Sequence, residues 1–239
     1  MSARDDDPIV HVVDVVKDYQ ALRPLRIRDF RVRRGQAVAL HGFDKTAAEI
    51  LVNMLTGSSL PDQGQVRVFG RATGDIATSD EWLTLLRRFA LLSDRTVLVE
   101  QLTVEQNLAI PHTLNLDPLA DEIRVQVRDV GREVGLPPEG LAGSVVGLDA
   151  LQVERVRLAR ALALGPDLLL AEHPTATLDA AAARAFGATL SAVVSRRGIA
   201  AVYMTADAEF AKVVGSDVLT LKPATGEFTS SSGWRRWFS

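Results

Sequence analysis

Apolar residues recur near every second position over Ile9 to Val16 and again over Leu25 to Val32, each stretch bounded by polar turns. Period two predicts strands of an antiparallel sheet with one face buried. In the second stretch Arg26, Arg28, Arg31 and Arg33 fall between the apolar residues, as expected of a solvated face rather than a binding patch. Gln36 to Leu40 is a short apolar run stopping at Gly42. The stretch from there to Met54 sets Ile50, Leu51, Met54 and Leu55 on one helical face.

Strand, tight turn and helix in that order is the arrangement of a phosphate loop. Pro61-Asp62-Gln63-Gly64 then signals a turn, followed by a short strand through Val66, Val68 and Gly70. A helix is predicted from Trp82 to Arg88 and a strand from Phe89 to Leu92. Thr103 with Gln106 three residues on forms a capping-box pattern and starts a helical region reaching about Leu164. That region is broken at Pro111, Gly135 to Gly140, and Gly143 to Gly147. Within it, Leu151 to Leu164 is free of Gly and Pro and rich in Ala, Leu and Arg. Leu168 to Ala171 suits a strand buried on both faces. A long alanine-rich helix from Leu178 to about Arg196 leads through Gly198 to a second buried strand, Ile199 to Met204. Strand, helix and strand of this kind imply a right-handed parallel crossover. Val218 to Leu221, a turn at Pro223 to Gly226, and Phe228 read as a hairpin.

The expected fold is α/β: a three-layer sandwich with a mostly parallel sheet, an N-terminal antiparallel β lobe and a helical subdomain. One domain is expected over 1–239, with residues 1–92 and 159–239 forming lobe and core. Residues 93–158 form the helical part and 229–239 an aromatic, basic tail.

Composition narrows the function classes. The 239 residues are 47% hydrophobic and 24% charged with a formal net charge of -3. An ordinary globular core is therefore affordable, and no overall basic field points to nucleic acid. There is no cysteine, which removes disulfides, thiol catalysis and cysteine-ligated metals. No apolar run of about eighteen residues occurs, so no direct membrane span is expected. The opening MSARDDDP lacks the order of a secretory signal. His41, His112 and the other histidines lack metal-ligand spacing, and no metal site is expected. The tail segment Trp234 to Phe238 combines aromatic rings with Arg235 and Arg236, a composition suited to protein or lipid contact and equally to folding back on the domain.

The run Gln152 to Asp179, QVERVRLARALALGPDLLLAEHPTATLD, resembles the segment of ABC transporter ATP-binding domains in which a signature helix leads into the Walker B strand and D-loop. PDQGQVRVFG (Pro61 to Gly70) and LTVEQNLAIP (Leu102 to Pro111) match the family's connecting phrases. The second is similar to the lipoprotein-release, cell-division and macrolide-export branch. The resemblance spans roughly residues 8 to 228 in the family's order.

At the catalytic stations the sequence departs from the family pattern. A phosphate loop needs glycines that let N–H groups wrap phosphate, a Lys for the charge, and a hydroxyl for magnesium. Aligned without gaps on Gly42 and Gly57, two loop glycines become Lys45 and Ala47, the Lys becomes Ala48, and the hydroxyl becomes Glu49. Glu49 is expected to answer the helix dipole from within and repel a triphosphate. Reading Lys45-Thr46 as a displaced Lys-Thr pair shortens the loop by three residues and leaves no room for phosphates. Ser93 replaces the family's Gln. Leu148-Asp149-Ala150-Leu151-Gln152 replaces the Leu-Ser-Gly-Gly-Gln signature, with Leu151 expected to fill the space where backbone approaches phosphate. Glu172 stands for the Walker B Asp, His173 for the catalytic Glu, and Ala206 for the switch His. Tyr19 holds the place of the adenine-stacking aromatic, and a merely packed strand tyrosine remains an equal reading.

Phosphoryl transfer is mostly positioning and electrostatic stabilisation, and those parts are missing together. The resemblance therefore implies a non-catalytic homologue with no working ATP or magnesium site. It would act as a structural or regulatory subunit on a permease at the cytoplasmic face of a membrane, dimerised with itself or with an active ATPase subunit. A divergent active ATPase and a soluble adaptor reusing the fold are the alternatives.

Overall fold

The computed structural model describes residues 7–20 and 22–230. Strands β1 (Val10–Lys17), β2 (Leu25–Val32), β4 (Gln63–Val68) and β5 (Arg71–Ala72) form a four-stranded sheet in the order β2-β1-β4-β5, paired antiparallel throughout. Along β2, Leu25, Ile27, Phe30 and Val32 are buried while Arg26, Arg28 and Arg31 face solvent, as the alternation predicts. β1 bulges at Asp14, which has a positive φ of 47°. Gly64 passes directly over that bulge: a Cβ there would meet the Asp14 carbonyl oxygen at 2.3 Å, and its φ is +82°. Only glycine lets β4 cross so closely.

The second sheet has six strands in the order β10-β9-β3-β8-β7-β6. β3 (Ala37–His41), β6 (Phe89–Leu92), β7 (Leu168–Glu172), β8 (Ala200–Thr205) and β9 (Asp217–Lys222) are parallel, and β10 (Glu227–Ser230) closes the predicted antiparallel hairpin on β9. β7 and β8 are buried at every position, so their side chains alternate between two cores. Leu168, Leu170, Val202 and Met204 join the core under the antiparallel sheet and helix α1 (Lys45–Leu55). Leu169, Ala171, Ala201 and Tyr203 join the core on the other face. There they meet α5 (Ala150–Leu162) and α6 (Ala180–Arg197), together with α7 (Ala208–Val214). Each large aliphatic side chain withdrawn this way contributes about 1.5–3 kcal/mol.

Helices α2 (Ser79–Leu86), α3 (Val104–Ala109) and α4 (Asp121–Glu133) complete the chain. The capping box predicted at Thr103 and Gln106 is present at the start of α3. α7 was not legible in the sequence, because seven residues give too short a window for a helical period. The division placed after residue 158 falls inside α5. Residues 231–239, with the Trp234 to Phe238 segment, lie outside the described residues.

Candidate nucleotide site

The C-terminal ends of β3, β7 and β8 lie side by side, where open parallel sheets present their ligand sites. The loops there are knit by backbone bonds. The Gly42 N–H donates to the Thr205 carbonyl at 3.1 Å, and the His173 N–H donates to the Met204 carbonyl at 2.9 Å. This brings the predicted stations Gly42, Glu172, His173 and Ala206 into one corner.

α1 begins at Lys45, three residues after Gly42. Asp44 is its N-cap: its Oδ1 accepts the Ala47 N–H at 2.7 Å, and its carbonyl accepts the Ala48 N–H at 3.0 Å. The expectation that Glu49 answers the helix dipole is corrected here. Glu49 lies in the second turn, and Asp44 does the capping, because a carboxylate three residues before the target N–H has the reach and geometry of a cap. Phe43 is 2% exposed and stacks on Phe228 with ring centroids 6.4 Å apart, drawing the loop inward. Ala48, at the position equated with the phosphate-binding Lys, is 0% exposed and faces the core beneath α1. Ala47 is buried beside it.

Lys45 Nζ donates to Asp94 Oδ2 at 2.6 Å. That hydrogen bond holds the Asp94 carboxyl below the usual carboxylate range. Thr46 is exposed. Tyr19 is half-buried against the core of the antiparallel lobe, and burial first, then the Asp44 charge, raises its phenol pKa. The packing is what the reading of Tyr19 as a strand tyrosine expects.

Arg95 was not singled out in the sequence and is the hub of this corner. Its Nη1 lies 3.1 Å from Glu49 Oε1, its Nη2 bonds Glu172 Oε1, and its Nε lies 3.4 Å from Ser93 Oγ. Ser93 Oγ in turn donates to Glu172 Oε2 at 3.3 Å. Three positions equated with magnesium-contacting groups thus converge on one guanidinium. The chain just after it is fastened too: Arg157 Nε donates to the Thr96 carbonyl at 3.2 Å, and Arg160 Nη1 to the Val97 carbonyl at 2.9 Å. Arg157 also pairs with buried Glu154, whose carboxyl burial pushes up.

At the signature-like segment Asp149 caps α5. Its Oδ1 accepts the Gln152 N–H at 2.8 Å, and Gln152 Oε1 accepts the Asp149 N–H at 3.2 Å. Ala150 is the first helical residue. Leu151 does not stand in the approach to this N-terminus as expected. It is half-buried with Leu148 against the core, because its helical position turns it inward. The group presented at the helix end is the Asp149 carboxylate.

His173 has a positive φ of 45°, unusual for a non-glycine residue, and its Nε2 is buried without a hydrogen-bond partner. The turn it opens has the Ala176 N–H bonded to its carbonyl at 3.0 Å, and the Leu178 N–H bonds the Thr175 carbonyl at 3.1 Å across the D-loop-like stretch. Asp179 caps α6 through the Ala181 and Ala182 N–H groups. Ala206 is exposed, and the following Asp207 caps α7.

Fold and site define an ATP-binding-cassette domain, and the comparison with known families agrees. A family model described as ABC transporter matches residues 25–176, so the chain belongs to the ABC transporter family. It is similar to the methionine import ATP-binding protein MetN of Mesorhizobium japonicum, 27% identical over 89% of this chain and 58% of the relative. It is also similar to the sulfate/thiosulfate import ATP-binding protein CysA 2 of Chromobacterium violaceum, 30% identical over 84% of this chain and 52% of the relative. The chain thus spans between half and three fifths of these relatives' length. Among solved structures, the dimeric bacterial ABC transporter cassette MJ0796 superposes with a TM-score of 0.74 at 22% identity, covering 92% of this chain and 96% of that one. The cbiO1 protein of Clostridium perfringens, part of the ABC transporter complex cbiONQ, gives 0.76 at 19%, covering 94% and 88%. These likenesses establish the fold. The relatives are named for import, so family membership is what they share with the sequence reading, rather than the lipoprotein-release, cell-division and macrolide-export branch. No helix among the described residues is long and apolar enough to cross a membrane.

Proposed function

We propose that this chain is a non-hydrolysing ATP-binding-domain homologue serving as a structural or regulatory subunit of an ABC-type transport complex. Its place is on a permease at the cytoplasmic face of the membrane, dimerised with itself or with an active ATPase subunit. The observation that carries the reading is the start of α1. The Asp44 carboxylate takes up the Ala47 N–H, a group that would otherwise be open to phosphate, and position 48 turns a methyl group into the core. Magnesium and a triphosphate, which the family implies, do not fit these residues. A carboxylate occupies the anion end of the helix, and Arg95 occupies the cation corner. No step of hydrolysis is derived through them.

A second reading, a divergent but active import subunit, is favoured by the names of the relatives. The finer placement in the lipoprotein-release, cell-division and macrolide-export branch rests on Leu102 to Pro111 alone. A groove whose lining sets Leu86, Phe89, Leu91, Pro111, Ala161 and Leu164 beside Arg87, Thr96 and Arg160 is the surface this reading assigns to the permease. The test is purification from membranes followed by nucleotide turnover. A copurifying permease without turnover by this chain supports the proposal. Turnover that survives removal of every other ATPase supports the active reading, and recovery without any membrane subunit supports an adaptor.

A further inference from the structure

Glu49 comes from α1, Ser93 from the loop after β6, and Glu172 from the end of β7, yet all three contact the guanidinium of Arg95 or each other. The Glu172 side chain is only 7% exposed, and a carboxylate so withdrawn from water needs a cationic partner. We infer that Arg95 is the resident cation of this corner, a covalently attached substitute that makes the Glu49–Glu172 pair independent of divalent metal. This rests on the non-hydrolysing reading and extends it to how the site is held.

Charge decides between the two occupants. Two carboxylates and one guanidinium leave a single negative charge. A divalent ion placed on the same oxygens would sit against the guanidinium, and its two positive charges would be repelled by a third at near-contact distance. Arg95 and a divalent ion are therefore mutually exclusive. The loop keeps Arg95 in place from both sides. Asp94 is tied to Lys45 of α1, while Thr96 and Val97 are tied to Arg157 and Arg160 of α5. With the guanidinium removed, two carboxylates and a hydroxyl remain, an all-oxygen set of the kind that hard cations prefer.

The experiment uses the full chain without nucleotide, so it can fail while the hydrolysis reading stands, and the reverse. Manganese binding is read by electron paramagnetic resonance, and Tm by thermal unfolding. The samples are wild type, Arg95→Gln, and Arg95→Gln combined with Glu172→Gln. Wild type is expected to take up no manganese at this corner. Arg95→Gln should lose stability, bind manganese at least about tenfold more tightly than wild type, and regain Tm as the ion is added. The double variant should lose that binding. Wild type binding manganese through Glu172 would overturn the inference. So would Arg95→Gln that is destabilised yet binds no more manganese than wild type, because Arg95 would then be an ordinary ion-pair partner.

Discussion

Arg95 Nη1 lies 3.1 Å from Glu49 Oε1, joining a loop residue to a helix residue 46 positions earlier. Through its other nitrogens the same side chain reaches Ser93 and Glu172. The corner that the sequence reading equates with the family's metal and phosphate positions is therefore filled by contacts among the chain's own side chains. The helix beside it is capped by its own aspartate, which takes the Ala47 N–H. These two arrangements account for the expected lack of nucleotide chemistry better than any single missing residue does.

Asp44→Ala should destabilise the protein by about 1 kcal/mol, the usual worth of an N-cap. Asp44→Asn should keep most of the stability, since an amide oxygen can accept the Ala47 N–H. Urea unfolding of the three proteins checks this. Equal midpoints would mean that the cap contributes nothing.

Ala48→Lys should destabilise the fold and give no ATP hydrolysis. The Ala48 methyl lies in the core, so a lysine there must bury a charge or distort α1, at a cost of about 2–4 kcal/mol. His173→Glu alone should likewise give no turnover, since catalytic groups act as a unit. A thermal melt and a phosphate-release assay read both effects. A stable, hydrolysing Ala48→Lys protein would contradict the register of α1 described above.

Much of this was legible in the sequence. The alternation in β2, the buried runs of β7 and β8, and the Thr103–Gln106 capping box carry local signals that survive folding. So does the loss of the loop glycines. Asp44 carries a signal too, a carboxylate in front of a helical run, although the gapless alignment on Gly42 and Gly57 points to Glu49 instead. Arg95 had none. Its partners are 46 and 77 residues away, and only the packing of three elements brings them together. The burial of Ala48 and the half-burial of Leu151 depend on where each helix starts, and boundaries are what sequence periodicity determines least well.

Acid should weaken the Lys45–Asp94 tie. The folded Asp94 carboxyl titrates below its ordinary 3.8, chiefly through the Lys45 hydrogen bond. Its contribution is therefore fully present above the unfolded value and is lost as pH falls through the folded one. Asp94→Asn should lower the urea midpoint at pH 7, and the gap to wild type should narrow at pH 3. A gap independent of pH would show that the charge of Asp94 plays no part.

Docking and site residues should separate in a complementation assay. Val97 is 71% and Leu164 49% exposed, and Leu164 lines the apolar groove. Val97→Asp with Leu164→Asp should leave Tm nearly unchanged and abolish both function and copurification with the permease. These positions serve better than Leu98, which packs against the core. Glu172→Ala with His173→Ala should lower Tm, since it strips Arg95 of a partner, while function persists wherever the fold does. Loss of function from the second pair at unchanged stability, with the first pair silent, would mark the corner as catalytic.

The most direct measurement is calorimetry of the purified chain with magnesium and ATP. Losing the charge-neutralising and metal-ligating groups should weaken binding by about 2–5 kcal/mol, roughly thirty- to several-thousand-fold. The predicted result is no resolved heat at micromolar nucleotide, with or without magnesium. Magnesium-dependent binding with a micromolar Kd would contradict the account, because Asp44 and Arg95 would both have to leave the places they hold.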